Sequence, residues 1–308
     1  MEFLPMQVHS SRASSRDSCS PARQAKSPAP AKLVVERIGY LVPSPEFDGT
    51  VHSVFARACN IAYDGMLLTL VVSGVSDGPT TLVLGPEAPT DLRTLFGPGD
   101  SVRRRGGYAS VRDAVLYLGH ATLWHPPPRR PILPDAQIAA NLRCAMTRLA
   151  QRRHRHSSVI DREASTAVAA LEAACGQLDG EKASQHAKNL TGWGEGLTPA
   201  GDDFLVGLCA ALNALAADNA RRRAFLLSVG ATIAASSSRT TPIAAHYLRL
   251  AAQGHFTADL IDLRDALLSE QRRERLLSVL DRALAVGATS GADSVTGVLA
   301  GLSAWYRP

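Results

Sequence analysis

The chain has 308 residues, of which 45% are hydrophobic and 20% charged, with a net charge of +5. This predicts about two domains with room for sizeable cores, and excludes a chain that is disordered throughout. The longest apolar run, Phe204–Ala217, contains Asn213 and falls short of the roughly 20 residues a membrane span needs, so no membrane partner is expected. Arg12, Arg16, Arg23, Lys26 and Lys32 stand against Glu2 and Asp17, so much of the net charge sits in residues 1–32. A nucleic-acid partner is therefore not expected of the body. The five cysteines are scattered without a Cys-x-x-Cys pair, which suits idle thiols in a cytoplasmic protein rather than a zinc site or disulfide frame.

Residues 1–32 are rich in Ser, Arg, Pro and Ala and read as a disordered leader. Residues 33–128 read as β-rich. Strands are predicted over Leu33–Val42, Gly65–Ser73, Thr80–Leu84, Val102–Val111 and Ala114–Trp124, with His52–Ile61 fitting a short helix or a strand. Closely spaced Gly and Pro turns predict an antiparallel, barrel-like domain. The proline-rich stretch around Pro126–Pro128 marks the boundary.

Residues 129–308 switch to helical periodicity. Helices are predicted over Asp135–Arg153, Arg162–Cys175, Pro199–Ala217, Arg221–Ala235, Pro242–Gln253, Thr257–Leu268, Glu270–Ala285 and Ser290–Ala304. The fold class is α+β, a β-rich domain followed by an all-α one. The arginine clusters Arg103–Arg105, Arg152–Arg155 and Arg221–Arg223 read as solvated surface.

The segment Gly192-Trp193-Gly194-Glu195-Gly196-Leu197-Thr198-Pro199-Ala200-Gly201-Asp202-Asp203 carries the chemistry. Its glycines permit a left-handed, close-packed loop, Thr198 suits an N-cap and Pro199 the first helical position. A glycine loop entering a helix presents N–H groups to phosphate or carboxylate, so Gly192, Gly194, Gly196, Thr198 and Gly201 are candidate anion-binding residues. Asp202 and Asp203 fall in the first turn. They complement the helix dipole, hold Mg²⁺, or orient a substrate amide. Asp202→Asn is expected to abolish activity in a folded protein. No Walker or dinucleotide fingerprint is present.

A second segment, Gly287 to Val295, echoes the first 91 residues downstream, with glycine, threonine and aspartate coinciding. It predicts a similar helix start that closes the same site with Thr289, Ser290, Gly291 and Asp293. A third polar loop, Ser236–Pro242, adds Arg239 and Thr240 as candidate anion contacts. His52 and Ser53, with Asn60, are candidates to face this site from the first domain, although no Ser–His–Asp triad is readable.

The strings GWGEGLTPAGDDFLVG, SSRTTPIAAHYL with GHF at 254–256, and GATSGADSVTGVLAG occur in this order, preceded by VHSVFARACNI and ATLWHP. In these the chain resembles the AllH family. The resemblance covers roughly residues 33–306 and implies a subunit of oxamate carbamoyltransferase. Such an enzyme converts oxalurate and phosphate into oxamate and carbamoyl phosphate in purine nitrogen catabolism, with two further subunits as partners. The substrates so implied are small and anionic. The competing expectation is a non-catalytic subunit, regulatory or scaffolding, that binds phosphate, a nucleotide or a carboxylate through the same loop.

Overall fold

The computed structural model describes residues 31–153, 165–216 and 219–306. The predicted leader falls almost wholly outside these, as do His154 and Arg155. Residues 31 and 32, assigned to the leader from composition, instead open the first strand.

Nine strands fill the first part: β1 (Ala31–Gly39), β2 (Glu46–Val54), β3 (Ala58–Tyr63), β4 (Met66–Val71), β5 (Thr81–Leu84), β6 (Ser101–Arg105), β7 (Tyr108–Val111), β8 (Ala114–Tyr117) and β9 (Thr122–Trp124). Eight close into a barrel in the order β1-β5-β4-β3-β2-β6-β7-β8, because β1 pairs with both β5 and β8. β9 takes over beside β1 where β8 stops. The barrel is mixed rather than purely antiparallel: β1 runs parallel to β8 and β9, and β4 parallel to β5. Two predicted strands are hairpins. His52–Ile61 spans the end of β2 and the start of β3, and Val102–Val111 folds back at Gly106 (φ 58°).

Alternation sets which side faces in. On β6 the burial pattern is strict, with Val102 and Arg104 turned inward and Arg103 outward. Arg104 is satisfied by the Pro43 carbonyl at 2.6 Å. Leu33, Val35, Val51, Ile61, Leu68, Leu70, Leu84 and Leu116 fill the interior. β4 departs from alternation and is buried on nearly every residue. Its second face meets the helices, which explains the continuous apolar run MLLTLV.

The described residues then form nine helices: α1 (Asp135–Arg153), α2 (Ser165–Gln177), α3 (Gly180–Leu190), α4 (Ala200–Ala216), α5 (Ala220–Ser236), α6 (Pro242–Ala252), α7 (Ala258–Ser269), α8 (Arg273–Leu284) and α9 (Ser290–Trp305). α3 was not predicted. Its apolar face is made of Ala183, Ala187 and Leu190, too small a stripe to stand out, and its start rests on the Asp179 cap.

α4 is the central helix, buried almost all round. α9 lies against it at backbone contact. A Cβ added at Gly297 would sit 1.9 Å from the Phe204 carbonyl oxygen, and one at Gly207 2.0 Å from that of Ser294. Only glycine lets the two helices come this close, and the closeness holds their N-terminal ends side by side.

The barrel and the helices are locked together by specific polar contacts. His246 of α6 is buried, accepts the Leu67 N–H on Nδ1 (3.2 Å) and lies 3.1 Å by Nε2 from the Thr80 hydroxyl. Since Nδ1 accepts, the neutral ring carries its proton on Nε2. Burial accordingly pushes its pKa down to about 4. The loop between β4 and β5 caps α7, with the Asp77 carbonyl accepting from Ala258 N–H and the Ser76 hydroxyl from Asp259 N–H. Tyr40 and His255 add a hydrogen bond of 2.8 Å.

Candidate functional site

A cavity of about 590 Å³ lies where the barrel meets the helices. Strands β3 and β4 form one wall, through Asn60, Thr69 and Val71, and the starts of α4, α7 and α9 form the other. The wall is largely apolar, with Phe55, Val206, Ile243, Leu250, Phe256 and Val295. Among its polar groups, Thr198, Asp203, Thr289 and Ser290 stand at the converging starts of α4 and α9, and Tyr247 comes from the middle of α6.

The glycine loop is built around Asp202. Gly192, Gly194 and Gly196 all adopt positive φ, at 76°, 106° and 96°. The first two are also hemmed in, since a Cβ on Gly192 would meet the Arg239 carbonyl oxygen at 2.6 Å and one on Gly194 the Ala200 nitrogen at 2.8 Å. Gly192 N–H donates to Asp202 Oδ1 at 2.8 Å, and the Thr240 hydroxyl donates to Asp202 Oδ2. The Gly192 N–H is thus spent on the chain's own buried carboxyl group. Thr241 reinforces the loop by donating to the Leu197 carbonyl at 2.5 Å while capping α6.

The helix begins at Ala200, one residue beyond the predicted start, with the Pro199 carbonyl accepting from Asp202 and Asp203 N–H. Gly201 packs with its Cα against the Leu190 carbonyl, where a Cβ would come within 2.1 Å. Its role here is close packing.

Asp203 is differently placed. It lines the cavity, and its Oδ2 is sealed from solvent with no hydrogen-bond partner. Burial raises its pKa to about 7, with Asp293 and Asp202 adding to the rise, against hydrogen bonds from the Ser290 and Thr198 hydroxyls. Those two hydroxyls are 2.8 Å apart and tie the start of α4 to that of α9. The two glycine-threonine-aspartate segments therefore meet at one point. Asp293 is fully buried behind it. Thr289 lines the cavity, and its side chain makes no cap bond to the helix.

Other candidates from the sequence lie elsewhere. Arg239 is held by the Lys188 carbonyl at 2.7 Å and does not line the cavity. His52 is exposed, and neither it nor Ser53 reaches the cavity directly. Both connect to it through a hydrogen-bonded string. His52 Nδ1 lies 3.1 Å from Ser53 Oγ, which accepts from Asn60 Nδ2 at 3.0 Å. Asn60 Oδ1 accepts from Thr69 at 2.9 Å, and Thr69 meets Tyr247. The Tyr247 hydroxyl pKa is raised by burial and by the nearby Asp203. Sequence reasoning missed Thr69, Tyr247, His255 and Asp259. Of these, Tyr247 and His255 had a visible signal, since both fall within the strings SSRTTPIAAHYL and GHF.

Among the described residues no group of three or more His, Cys, Asp or Glu is gathered closely enough to hold a metal ion. Asp202 has both oxygens committed to protein donors. Cys59, Cys144, Cys175 and Cys209 are free. Burial raises the thiol pKa of Cys59, Cys175 and Cys209 to about 12. No helix among the described residues is long and apolar enough to cross a membrane.

These features define an α+β protein whose barrel and helical part jointly enclose a cavity bearing a carboxyl group that titrates near neutrality. The AllH family N-terminal domain model matches residues 31–123, and the model described as oxamate carbamoyltransferase subunit AllH matches residues 190–302. The chain belongs to the AllH family. No solved structure matches it.

Proposed function

We propose that this chain is the subunit of a carbamoyl-transfer enzyme that binds the transferred group, with Asp203 as its proton-holding residue. The observation that carries the reading is the position of Asp203. It sits at the wall of the cavity, inside the segment matched by the carbamoyltransferase subunit model, with a pKa raised to about 7. A carboxyl poised there both gives and takes a proton at neutral pH.

The reaction is carbamoyl transfer from oxalurate to phosphate. The bond between the carbamoyl carbon and the oxalurate nitrogen breaks, and a bond from that carbon to a phosphate oxygen forms. Protonated Asp203 gives its proton to the departing oxamate nitrogen. The proton lost by hydrogen phosphate restores Asp203. The Thr198 and Ser290 hydroxyls orient the carboxyl, and Tyr247 faces it with its own hydroxyl fixed by Thr69. An apolar wall keeps water from the carbamoyl group, which limits hydrolysis. Asp202 acts through the loop it organises. It is a positioning residue rather than a group that touches substrate.

The test is formation of carbamoyl phosphate from oxalurate and phosphate by the chain co-expressed with the products of neighbouring genes. Activity is expected only when this subunit is present. An assembled complex that forms no carbamoyl phosphate from oxalurate would refute the reading. A purine-catabolic role in the cytoplasm belongs to the same reading.

A further inference from the structure

The cavity lacks what a phosphate or carboxylate would need. Among the described residues lining it, the charged side chains are Glu195, Asp203 and Asp259, with no Lys or Arg. The helix starts around it do not compensate, because much of their N–H capacity is spent within the chain. Gly192 N–H is on Asp202, while Gly201, Asp202 and Asp203 N–H are on the Trp193 and Pro199 carbonyls. At α7, Ala258 N–H is on the Asp77 carbonyl and Asp259 N–H on the Ser76 hydroxyl. At α9, Gly291 and Asp293 N–H are on the Val286 and Thr289 carbonyls. A dianion placed here would face carboxylates in a partly apolar enclosure with no cation, an arrangement that costs free energy. The oxygen-bearing side chains that line it, Glu195, Asp259 and Thr289 among them, instead suit an uncharged group rich in N–H, such as a ureido end.

The rim has a complementary character. Residues 194–197 and 285–289 are exposed loops at the opening. Leu197 and Val286 both line the cavity and are 55% and 44% exposed. Two bare apolar side chains beside Glu195, over an interior with further acids, match a partner surface that is apolar with a basic group at its centre.

Resting on the carbamoyl-transfer reading, we infer that this cavity holds the uncharged ureido end of the substrate. The cations for the phosphate and the substrate carboxylate are then supplied by a second subunit docked on the rim at residues 194–197 and 285–289. The site is complete only in the complex.

Two measurements on the full chain test this. The first is calorimetric titration of the isolated chain with oxaluramide, the uncharged amide counterpart of oxalurate, and with inorganic phosphate. Oxaluramide is expected to bind, and phosphate to bind more weakly than about 1 mM. The second is co-purification with the products of neighbouring genes. Leu197→Asp and Val286→Asp are expected to weaken association by about tenfold or more. Leu227→Asp, at an exposed position on α5 away from the cavity, serves as the control and leaves association unchanged. Circular dichroism checks that each variant is folded. Phosphate binding tighter than about 1 mM alongside oxaluramide binding would overturn this inference alone. Unchanged association of both rim variants would also overturn it. Failure of oxaluramide to bind would also overturn this inference, whereas an assembled complex that forms no carbamoyl phosphate from oxalurate would overturn the carbamoyl-transfer reading beneath it.

Discussion

Replacing Asp203 by Asn removes a charge and keeps the shape, so it isolates what the buried carboxyl costs the fold. The folded pKa of about 7 lies above the ordinary 3.8, a rise of about 3 units. The folded state therefore binds the proton more tightly than the unfolded chain. Stability is highest below the unfolded value and falls as pH rises from about 4 to about 7, then levels off. At about 1.4 kcal/mol per unit the total is roughly 4 kcal/mol, an upper bound because the group borders a cavity. Asn cannot ionise. Asp203→Asn should thus be more stable than the native protein at pH 8, by up to roughly 4 kcal/mol, with the gain shrinking toward zero near pH 4. Denaturant unfolding at several pH values reads this directly. A variant with the same pH slope as the native protein, or one less stable at pH 8, would refute the account of Asp203. A stabilised variant without activity is the signature of a group kept for chemistry at the expense of the fold.

Further outcomes follow from the same geometry. Asp202→Ala leaves the Gly192 N–H and the Thr240 hydroxyl without their acceptor, at about 1–3 kcal/mol each, so it should lower the unfolding midpoint and loosen the glycine loop, as proteolysis or hydrogen exchange would register. Gly297→Ala drives a methyl group to 1.9 Å from the Phe204 carbonyl oxygen, and should reduce the yield of folded protein or cost more than about 3 kcal/mol in thermal unfolding. His246, held neutral with a pKa near 4 against the ordinary 6.5, contributes stability that is present above pH 6.5 and lost as pH falls toward 4. His246→Gln should remove that acid-side loss, up to about 3 kcal/mol, in unfolding curves between pH 4 and 7.

Much of this architecture was legible in the residues because local signals agreed with the final packing. The helical half announced itself through long periodic runs and good caps. α3 stayed hidden because alanines give little contrast. The barrel strands were readable as apolar runs between turns. The parallel pairing of β1 with β8 and of β4 with β5 was not, since it depends on contacts far apart in the chain. The glycine loop and its echo before α9 were visible as a pair, and the structure joins them through Thr198 and Ser290. What the motif alone left undivided was the role of each aspartate. Adjacent positions on a helix point about 100° apart, so Asp202 turns into the loop and Asp203 toward the cavity. Tyr247 and Thr69 come from distant segments, and no spacing rule would have placed them together. The net positive charge of the chain likewise gave no hint that the cavity is lined by acids.

The most direct test of the central claim is the rate of carbamoyl phosphate formation from oxalurate by the assembled complex, compared between native protein, Asp203→Asn and Asp203→Glu. The account predicts that Asn removes activity by about a hundredfold or more while the complex still assembles, and that the native rate follows an ionisation near pH 7, which Glu partly restores at a shifted pH. A folded, assembled Asp203→Asn complex with near-native rate and the same pH profile would contradict it.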